Sequence, residues 1–106
     1  MNNEFSKDTR LLFIYTWECF YCGSNKADAI HHIVGRGAKE SCLESSPLNA
    51  APICNHKCHI PNHGLLKTEE QMKILLNKTY KFLIESGYIL TEKDLDFIEK
   101  YSNFYY

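Results

Sequence analysis

All five cysteines and all five histidines of this 106-residue chain lie in one central stretch. They occur in the order Cys19, Cys22, His31, His32, Cys42, Cys54, His56, Cys58, His59 and His63. Thiolates are softer ligands than imidazoles, so the two residue types suit different metals and different roles. Two close cysteine pairs on either side of a double histidine therefore predict two metal sites, which the rest of the chain supports.

The paired cysteines have a spacing that is typical of a structural zinc site. Cys19-x-x-Cys22 is followed by Gly23, which allows the sharp backbone turn that brings two thiolates to one ion. Cys54-x-x-x-Cys58 supplies the second pair, and the four thiolates together predict a closed tetrahedral zinc site. A redox role is less favoured, because no βαβ pattern follows the first pair. The other alternative is buried free thiols, which is how we interpret Cys42.

Length and composition indicate one globular domain over residues 1–106, with ordinary hydrophobic (44%) and charged (24%) content. No apolar run approaches the ~20 residues that span a bilayer, and the N-terminus lacks the basic and apolar regions of a signal peptide. We therefore expect no membrane association and a cytoplasmic location, where disulfides are rare. The net charge of −1 gives no global attraction to nucleic acid, although residues 23–67 carry five basic and three acidic side chains.

Two short strands are predicted within the central stretch. Residues 26–34 have the pattern of a strand that ends in the Gly-rich loop around Arg36, and residues 48–53 have the pattern of its partner. The pair is expected to form a hairpin, with a loop over residues 38–47. Pro52 places the second strand at a sheet edge, because proline cannot donate a ladder hydrogen bond.

The histidines fall into two arrangements on these elements. Successive strand residues point to opposite faces, so His31 and His32 are expected to differ in role, one binding metal while the other faces the reacting atom. His59 and His63 are four residues apart, which on a helix puts them on one face at a separation that can clamp a single ion. His56 is a further candidate ligand, and the sequence leaves open whether it or His59 binds the metal.

The flanking segments are expected to be supporting structure. Residues 6–17 fit either a short helix or a buried strand, and Phe13 and Trp17 are interpreted as core. A capping box over residues 68–71 predicts a helix with an apolar stripe that ends near Gly87. The inward residues of that stripe are Met72, Leu75, Leu76, Thr79, Tyr80 and Leu83. A second helix is predicted from Thr91, with Leu95, Ile98 and Tyr101 inward, before an aromatic tail suited to core packing or a dimer contact.

The central motifs together resemble the HNH endonucleases of the ββα-metal type. The matching elements cover about 45 residues. They are Cys19-x-x-Cys22, His31-His32-Ile33-Val34-Gly35-Arg36, Asn49, Cys54-x-x-x-Cys58-His59 and His63. The resemblance implies an α+β fold with a zinc-stapled ββα-metal core over residues 19–66 and a helical extension over residues 67–106. It also implies a phage or mobile-element origin in a bacterial cell.

The resemblance further implies a role for each matched residue. The four cysteines would bind structural zinc, and His31, His59 and His63 would hold a catalytic divalent metal such as Mg²⁺, Mn²⁺, Ni²⁺ or Zn²⁺. His32 would be the general base, and Asn49 would tie the hairpin loop in place. Arg36, on the loop after the base, is expected to grip a phosphate of DNA in bidentate fashion.

Two functions therefore follow from the sequence. The first is hydrolysis of phosphodiester bonds in DNA by a metal-dependent endonuclease, acting as a homodimer through its C-terminal helices because the single chain has few basic groups. The alternative is a non-catalytic zinc-binding module for nucleic acid or protein. The doubled histidine and a ligand set larger than one zinc site favour the enzyme.

Overall fold

The computed structural model describes Phe5 and residues 7–13, 18–23, 26–34, 45–54 and 66–105. Its elements follow in the order α1 (Lys7–Leu11), β1 (Ala29–His32), β2 (Ala50–Ile53), α2 (Glu69–Glu85) and α3 (Glu92–Lys100). A two-stranded antiparallel sheet and helices confirm the expected α+β class. Within these ranges, no helix has the length and apolar character needed to cross a membrane.

The two strands form the predicted hairpin, in a fixed register. His32 lies opposite Ala50, and Ala29 lies opposite Ile53 at the other end of the ladder. Pro52 is in the second strand of this two-stranded sheet, so its missing N–H leaves no gap in a wider sheet. The strand pair therefore has two distinct ends, and each end carries a different part of the candidate site.

The prediction that the second strand begins at Leu48 is wrong, because Pro47–Asn49 forms a 3-10 turn and β2 begins at Ala50. Ser46 caps this turn, since its hydroxyl accepts the backbone N–H of Leu48 at 3.1 Å. Proline at the first position of the turn also favours this start, because its fixed φ suits helical geometry. Local capping thus outweighs the β propensity of the apolar residues.

Helix α2 has the predicted bounds and the predicted buried stripe. The Thr68 side chain caps its start by accepting the Gln71 N–H, and Leu75, Leu76, Thr79 and Leu83 are buried. Gly87, at φ +89°, follows the end of the helix. The N–H of Gly87 donates to the Ile84 carbonyl and that of Tyr88 to the Leu83 carbonyl, the pattern of a Schellman C-cap.

Helix α2 holds the sheet through one buried hydrogen bond. The Thr79 hydroxyl donates to the Ala50 carbonyl at 2.7 Å, and Thr79 is fully buried. The core around this contact also contains Ile33, Leu48, Ile53 and Leu66, all inaccessible to solvent. Burying such side chains stabilises the fold by about 1.5–3 kcal/mol each before entropy is counted. The helix therefore fixes the position of the hairpin.

Helix α3 presents a different face to the core than the sequence predicts. Leu95 is 54% exposed, so its inward placement is wrong, whereas Phe97 is fully buried and Ile98 and Tyr101 are half-buried. Thr91 and Asp94 form a reciprocal capping box at the start of the helix. Because Asp94 is buried at this position, the inward stripe runs through Asp94, Phe97 and Ile98, which excludes Leu95.

The N-terminal segment begins as a helix, which resolves the choice between helix and strand for residues 7–11. Phe13 is buried, as predicted, and its ring stacks on Phe82 of α2 with centroids 5.4 Å apart. The prediction for Trp17 lies outside the described residues. The turn that follows α1 is thus joined to α2 by an aromatic contact.

Candidate metal centre

Cys19, Cys22 and Cys54 lie together at one end of the hairpin, with their sulfur atoms within 4.8 Å of one another. The sulfur atoms of Cys22 and Cys54 are 3.9 Å apart. Four thiolates at about 2.3 Å from a tetrahedral zinc ion stand roughly 3.8 Å from one another, so this spacing suits a shared ion. It is far from the ~2.05 Å of a disulfide, so Cys22 and Cys54 are not bonded to each other.

The backbone around Cys19 directs two N–H groups at its sulfur atom. The N–H groups of Tyr21 and Cys22 point at the Cys19 sulfur, at 3.3 and 3.4 Å. Gly23 closes the turn at φ +72°, and its N–H donates to the Cys19 carbonyl at 2.8 Å. Outer hydrogen bonds of this kind orient a metal-ligating side chain, so the geometry of the turn suits a metal ligand at Cys19.

The cysteine turn is attached to the rest of the fold on two sides. The N–H of Phe20 donates to the Pro52 carbonyl of β2 at 2.8 Å, and the Lys78 ammonium of α2 donates to the Phe20 carbonyl at 2.9 Å. The backbones of Glu18 and Lys26 form an isolated antiparallel β-bridge across the base of the turn. Cys54 follows β2 directly, so the hairpin brings the first cysteine pair and Cys54 together. The donor set suits zinc or a similar thiophilic ion.

The paired histidines occupy adjacent positions on β1 and differ in exposure. His31 is 2% exposed and lies opposite Ala51, whereas His32 is half-buried and lies opposite Ala50. The two side chains therefore point to opposite faces of the strand, as expected from strand geometry. The small alanines across the ladder leave room for both imidazole rings.

Asn49 lies at the other end of the hairpin and joins the two strand ends. Its side-chain oxygen accepts the Val34 N–H at 2.8 Å, and its side-chain amide donates to the Val34 carbonyl at 3.4 Å. Its backbone carbonyl also accepts the Ile33 N–H at 2.9 Å. Asn49 is inaccessible to solvent, so these bonds form away from competing water. The geometry is that of a clamp on the residues that follow His32.

Two contacts to His32 were missed from the sequence. The Phe5 ring stacks on the His32 imidazole, with centroids 3.9 Å apart and planes 11° apart. The Lys67 ammonium donates to the carbonyls of His32 and Ile33, at 2.7 and 3.1 Å. Phe5, a lone apolar residue in a polar N-terminal segment, was a usable signal, but nothing in the sequence singles out Lys67. Together they fix the backbone and one ring face of His32.

The remaining candidate residues of this site lie outside the described part of the chain. They are Arg36, His56, Cys58, His59 and His63, and Cys42, which the sequence assigns to neither cysteine pair, lies there as well. The described residues therefore bring together three thiols of the first predicted site. Of the second site they include His31 and His32, on opposite faces of β1, and Asn49, which binds the residues that follow His32.

No protein-family model, no curated protein and no solved structure matches this chain. The resemblance to HNH endonucleases therefore rests on the motifs of the sequence.

Proposed function

We propose that this protein is a metal-dependent endonuclease that hydrolyses phosphodiester bonds in DNA. The observation that carries the proposal is the arrangement of the hairpin. One strand presents two adjacent histidines to opposite faces, Asn49 binds the residues at the end of that strand, and a three-thiol cluster lies at the other end of the hairpin. The sequence supports the same proposal, because its motifs follow one another in the order of the HNH pattern.

The thiol cluster is proposed as a structural zinc site of the ββα-metal core. Cys19, Cys22 and Cys54 would supply three thiolates, and Cys58 would supply the fourth. A site of four thiolates is closed, so it staples the fold without taking part in chemistry. In this role the zinc would hold the cysteine turn against the start of the hairpin.

The histidines are proposed to form the catalytic site. His31, with His59 and His63, would hold a divalent ion, which when bound supplies Lewis-acid stabilisation of the phosphate and the leaving oxygen. His32 would accept the proton of the attacking water at an imidazole nitrogen, a contribution of typically ~10²–10⁴-fold. Phe5 and Lys67 would restrict the ring and backbone of His32. Arg36 would grip a neighbouring phosphate.

The test is cleavage of supercoiled plasmid DNA by the zinc-loaded full-length protein, with Mg²⁺, Mn²⁺ or Ni²⁺ added. His32→Ala should keep the fold and metal binding while cleavage falls ~10²–10⁴-fold. His31→Ala should lose the added divalent ion, measured by calorimetric titration. Comparable loss of ion affinity in both variants would contradict this division of roles. His59→Ala and His56→Ala, titrated in parallel, show which of the two binds the ion.

A non-catalytic zinc module for nucleic acid or protein is the second candidate. One observation favours it: among the residues described here, Cys19, Cys22 and Cys54 form the single three-ligand cluster. In that case the protein would bind zinc, show no second binding event with Mn²⁺, Ni²⁺ or Mg²⁺, and leave plasmid DNA intact under every metal condition. Cleavage that His32→Ala abolishes would exclude this candidate.

A further inference from the structure

Asp94, at the start of α3, is only 1% exposed, and both oxygens of its carboxylate accept hydrogen bonds. One oxygen accepts the Ser46 hydroxyl at 2.6 Å. The other accepts the Tyr88 hydroxyl at 2.5 Å and the Thr91 N–H at 2.9 Å. Burial alone would raise the pKa of Asp94, but the hydrogen bonds from Ser46, Thr91 and Tyr88 outweigh it and lower the pKa, so the carboxylate is charged at neutral pH.

Ser46 connects the Asp94 carboxylate to the Pro47–Asn49 turn. Its hydroxyl donates to Asp94 and at the same time accepts the Leu48 N–H at 3.1 Å. Its carbonyl accepts the Asn49 N–H at 2.9 Å. Ser46 is 1% exposed, so water does not compete for these groups. The turn that presents Asn49 is thus fixed at its N-cap residue, Ser46, which donates a charge-assisted hydrogen bond to a carboxylate 48 residues away in sequence.

The connection continues from Asn49 to the strand that carries the histidines. Asn49 holds Val34 through its side chain and Ile33 through its carbonyl. Ile33 and Val34 follow His32 directly in the sequence. An unbroken path of hydrogen bonds between buried groups therefore runs from Asp94 through Ser46 and Asn49 to the end of β1.

We propose that Asp94 is a positioning residue for the candidate catalytic site, acting through Ser46 and the Pro47–Asn49 turn to fix Asn49 and the strand end beside His32. This inference rests on the proposed function. Helix capping alone does not account for the arrangement, because the cap uses only the oxygen that accepts the Thr91 N–H. The oxygen that faces Ser46 makes no contribution to the cap.

The structure offers a matched pair of variants, because each of two hydroxyls donates to a different oxygen of the same carboxylate. Ser46→Ala removes the partner on the side of the hairpin, and Tyr88→Phe removes the partner on the side of the helix. Asp94→Ala and the double variant Asp94→Ala/Ser46→Ala complete a cycle. The zinc-loaded full-length proteins are compared by plasmid cleavage with Mn²⁺ well below their unfolding temperatures, and by amide hydrogen exchange.

We expect Ser46→Ala and Asp94→Ala to lower kcat roughly 10- to 100-fold, because a displaced site of this kind loses rate steeply. Amide protection of Val34 and Asn49 should fall about tenfold more than that of Leu76 in α2, as local opening affects only nearby amides. Tyr88→Phe should not lower kcat, and should not lower the amide protection of Val34 and Asn49 more than that of Leu76. The double variant should lose no more than Ser46→Ala alone, because Asp94 acts through Ser46.

Equal loss of protection at Val34, Asn49 and Leu76 would overturn the inference, since it would show a purely global effect on stability. An equal selective effect of Tyr88→Phe would overturn it too. If the wild-type protein cleaves no DNA with any divalent ion, the proposed function fails. The exchange measurement still decides whether Asp94 fixes the strand end, so the two failures are distinguishable.

Discussion

Cys54 is the cysteine on which the two halves of the thiol cluster depend, because it follows β2 whereas Cys19 and Cys22 belong to the preceding turn. Structural zinc binding is worth about 10–16 kcal/mol in small zinc domains. A whole domain is stable by only about 5–15 kcal/mol. Loss of zinc binding through removal of one ligand can therefore cost as much free energy as the whole domain gains on folding.

We predict that Cys54→Ser loses tight zinc and cooperative thermal unfolding. Cys42→Ser is the matched control, because the sequence assigns Cys42 to neither cysteine pair, and it should retain both. Zinc content by mass spectrometry and unfolding by circular dichroism measure the two effects. A Cys54→Ser protein that keeps one zinc through dialysis would contradict the assignment of Cys54.

Tyr105 provides a prediction with a defined pH dependence. Its hydroxyl is buried and has no hydrogen-bond partner among the described residues. Burial, followed by the charges of Tyr80 and Asp94, raises the pKa of Tyr105 above its ordinary value of 10.0. A raised folded-state pKa means stability that is fully present below pH 10 and is lost as pH rises through the folded pKa, because the unfolded chain ionises first.

Tyr105→Phe should therefore unfold in urea with an unchanged or up to ~1 kcal/mol higher free energy at pH 7, and should lose less stability than wild type between pH 9 and 11. Tyr88→Phe serves as the contrast, since it removes a hydroxyl that donates to Asp94. It should lower the free energy of unfolding at pH 7. If the free energy of unfolding fell more steeply with rising pH in Tyr105→Phe than in wild type, the raised pKa of Tyr105 would be contradicted.

Single residues show how far the sequence alone reaches. The thiols of Cys19, Cys22 and Cys54 were predicted as neighbours because ligand spacing reports directly on a shared ion. The stacking of Phe5 on His32 and the reach of Lys67 to the same residue were not predicted. Both contacts join residues that are distant in sequence, and no local periodicity encodes such a pairing.

Among the elements, the contact between α2 and β2 depends on Thr79. Its buried hydroxyl donates to the Ala50 carbonyl at 2.7 Å, at the point where β2 begins. Replacing a buried donor leaves the carbonyl unsatisfied, which costs about 1–3 kcal/mol. The helix stripe identifies Thr79 as inward, but the hydrogen bond itself is visible only in the fold.

Two conservative variants separate packing from hydrogen bonding at this position. Thr79→Val keeps the volume and loses the hydroxyl, so its free energy of unfolding should fall by about 1–3 kcal/mol. Thr79→Ser keeps the hydroxyl and loses one methyl group, which should cost about 1 kcal/mol. Urea unfolding at pH 7 measures both. A larger loss in the serine variant than in the valine variant would show that packing dominates.

The types of β1, β2, α2 and α3 were predictable from the sequence, whereas the type of α1 and two details of placement were not. The apolar stripe and end of α2 follow from helical periodicity and Gly87. The sequence predicts Leu48 in a strand because its apolar neighbours favour a strand, whereas Ser46 in fact caps a 3-10 turn there. The sequence predicts Leu95 inward because no local pattern indicates that Asp94 is buried in a hydrogen-bond network. Both errors come from side-chain hydrogen bonds that override hydrophobic pattern.

At the scale of the whole molecule, Phe104 and Tyr105 of the aromatic C-terminal tail contact α2 of the same chain. Tyr105 contacts Tyr80 of α2 with ring centroids 6.0 Å apart, and the Asn77 side chain donates to the Phe104 carbonyl at 3.0 Å. Phe97 is fully buried, so deletion of residues 95–106 would remove core and cannot test a dimer cleanly. The homodimer stays a prediction, and light scattering of the intact protein tests it.

Charge sets an expectation for DNA binding by the intact protein. The chain has twelve basic and thirteen acidic side chains. Each phosphate contact adds to the dependence of affinity on salt, so few contacts give weak binding and a shallow salt slope. Duplex binding measured between 50 and 200 mM salt should therefore show a small slope. A steep slope would mean that many basic groups converge on the DNA.

Two different metal sites in one chain are the central claim, and metal stoichiometry by native mass spectrometry tests it most directly. The protein is measured as purified, after mild chelation, and after titration with Mn²⁺. We predict one zinc that survives chelation, because four thiolates form a closed site, and one divalent ion that is lost and restored. A single zinc with no second ion at any Mn²⁺ concentration would contradict the account.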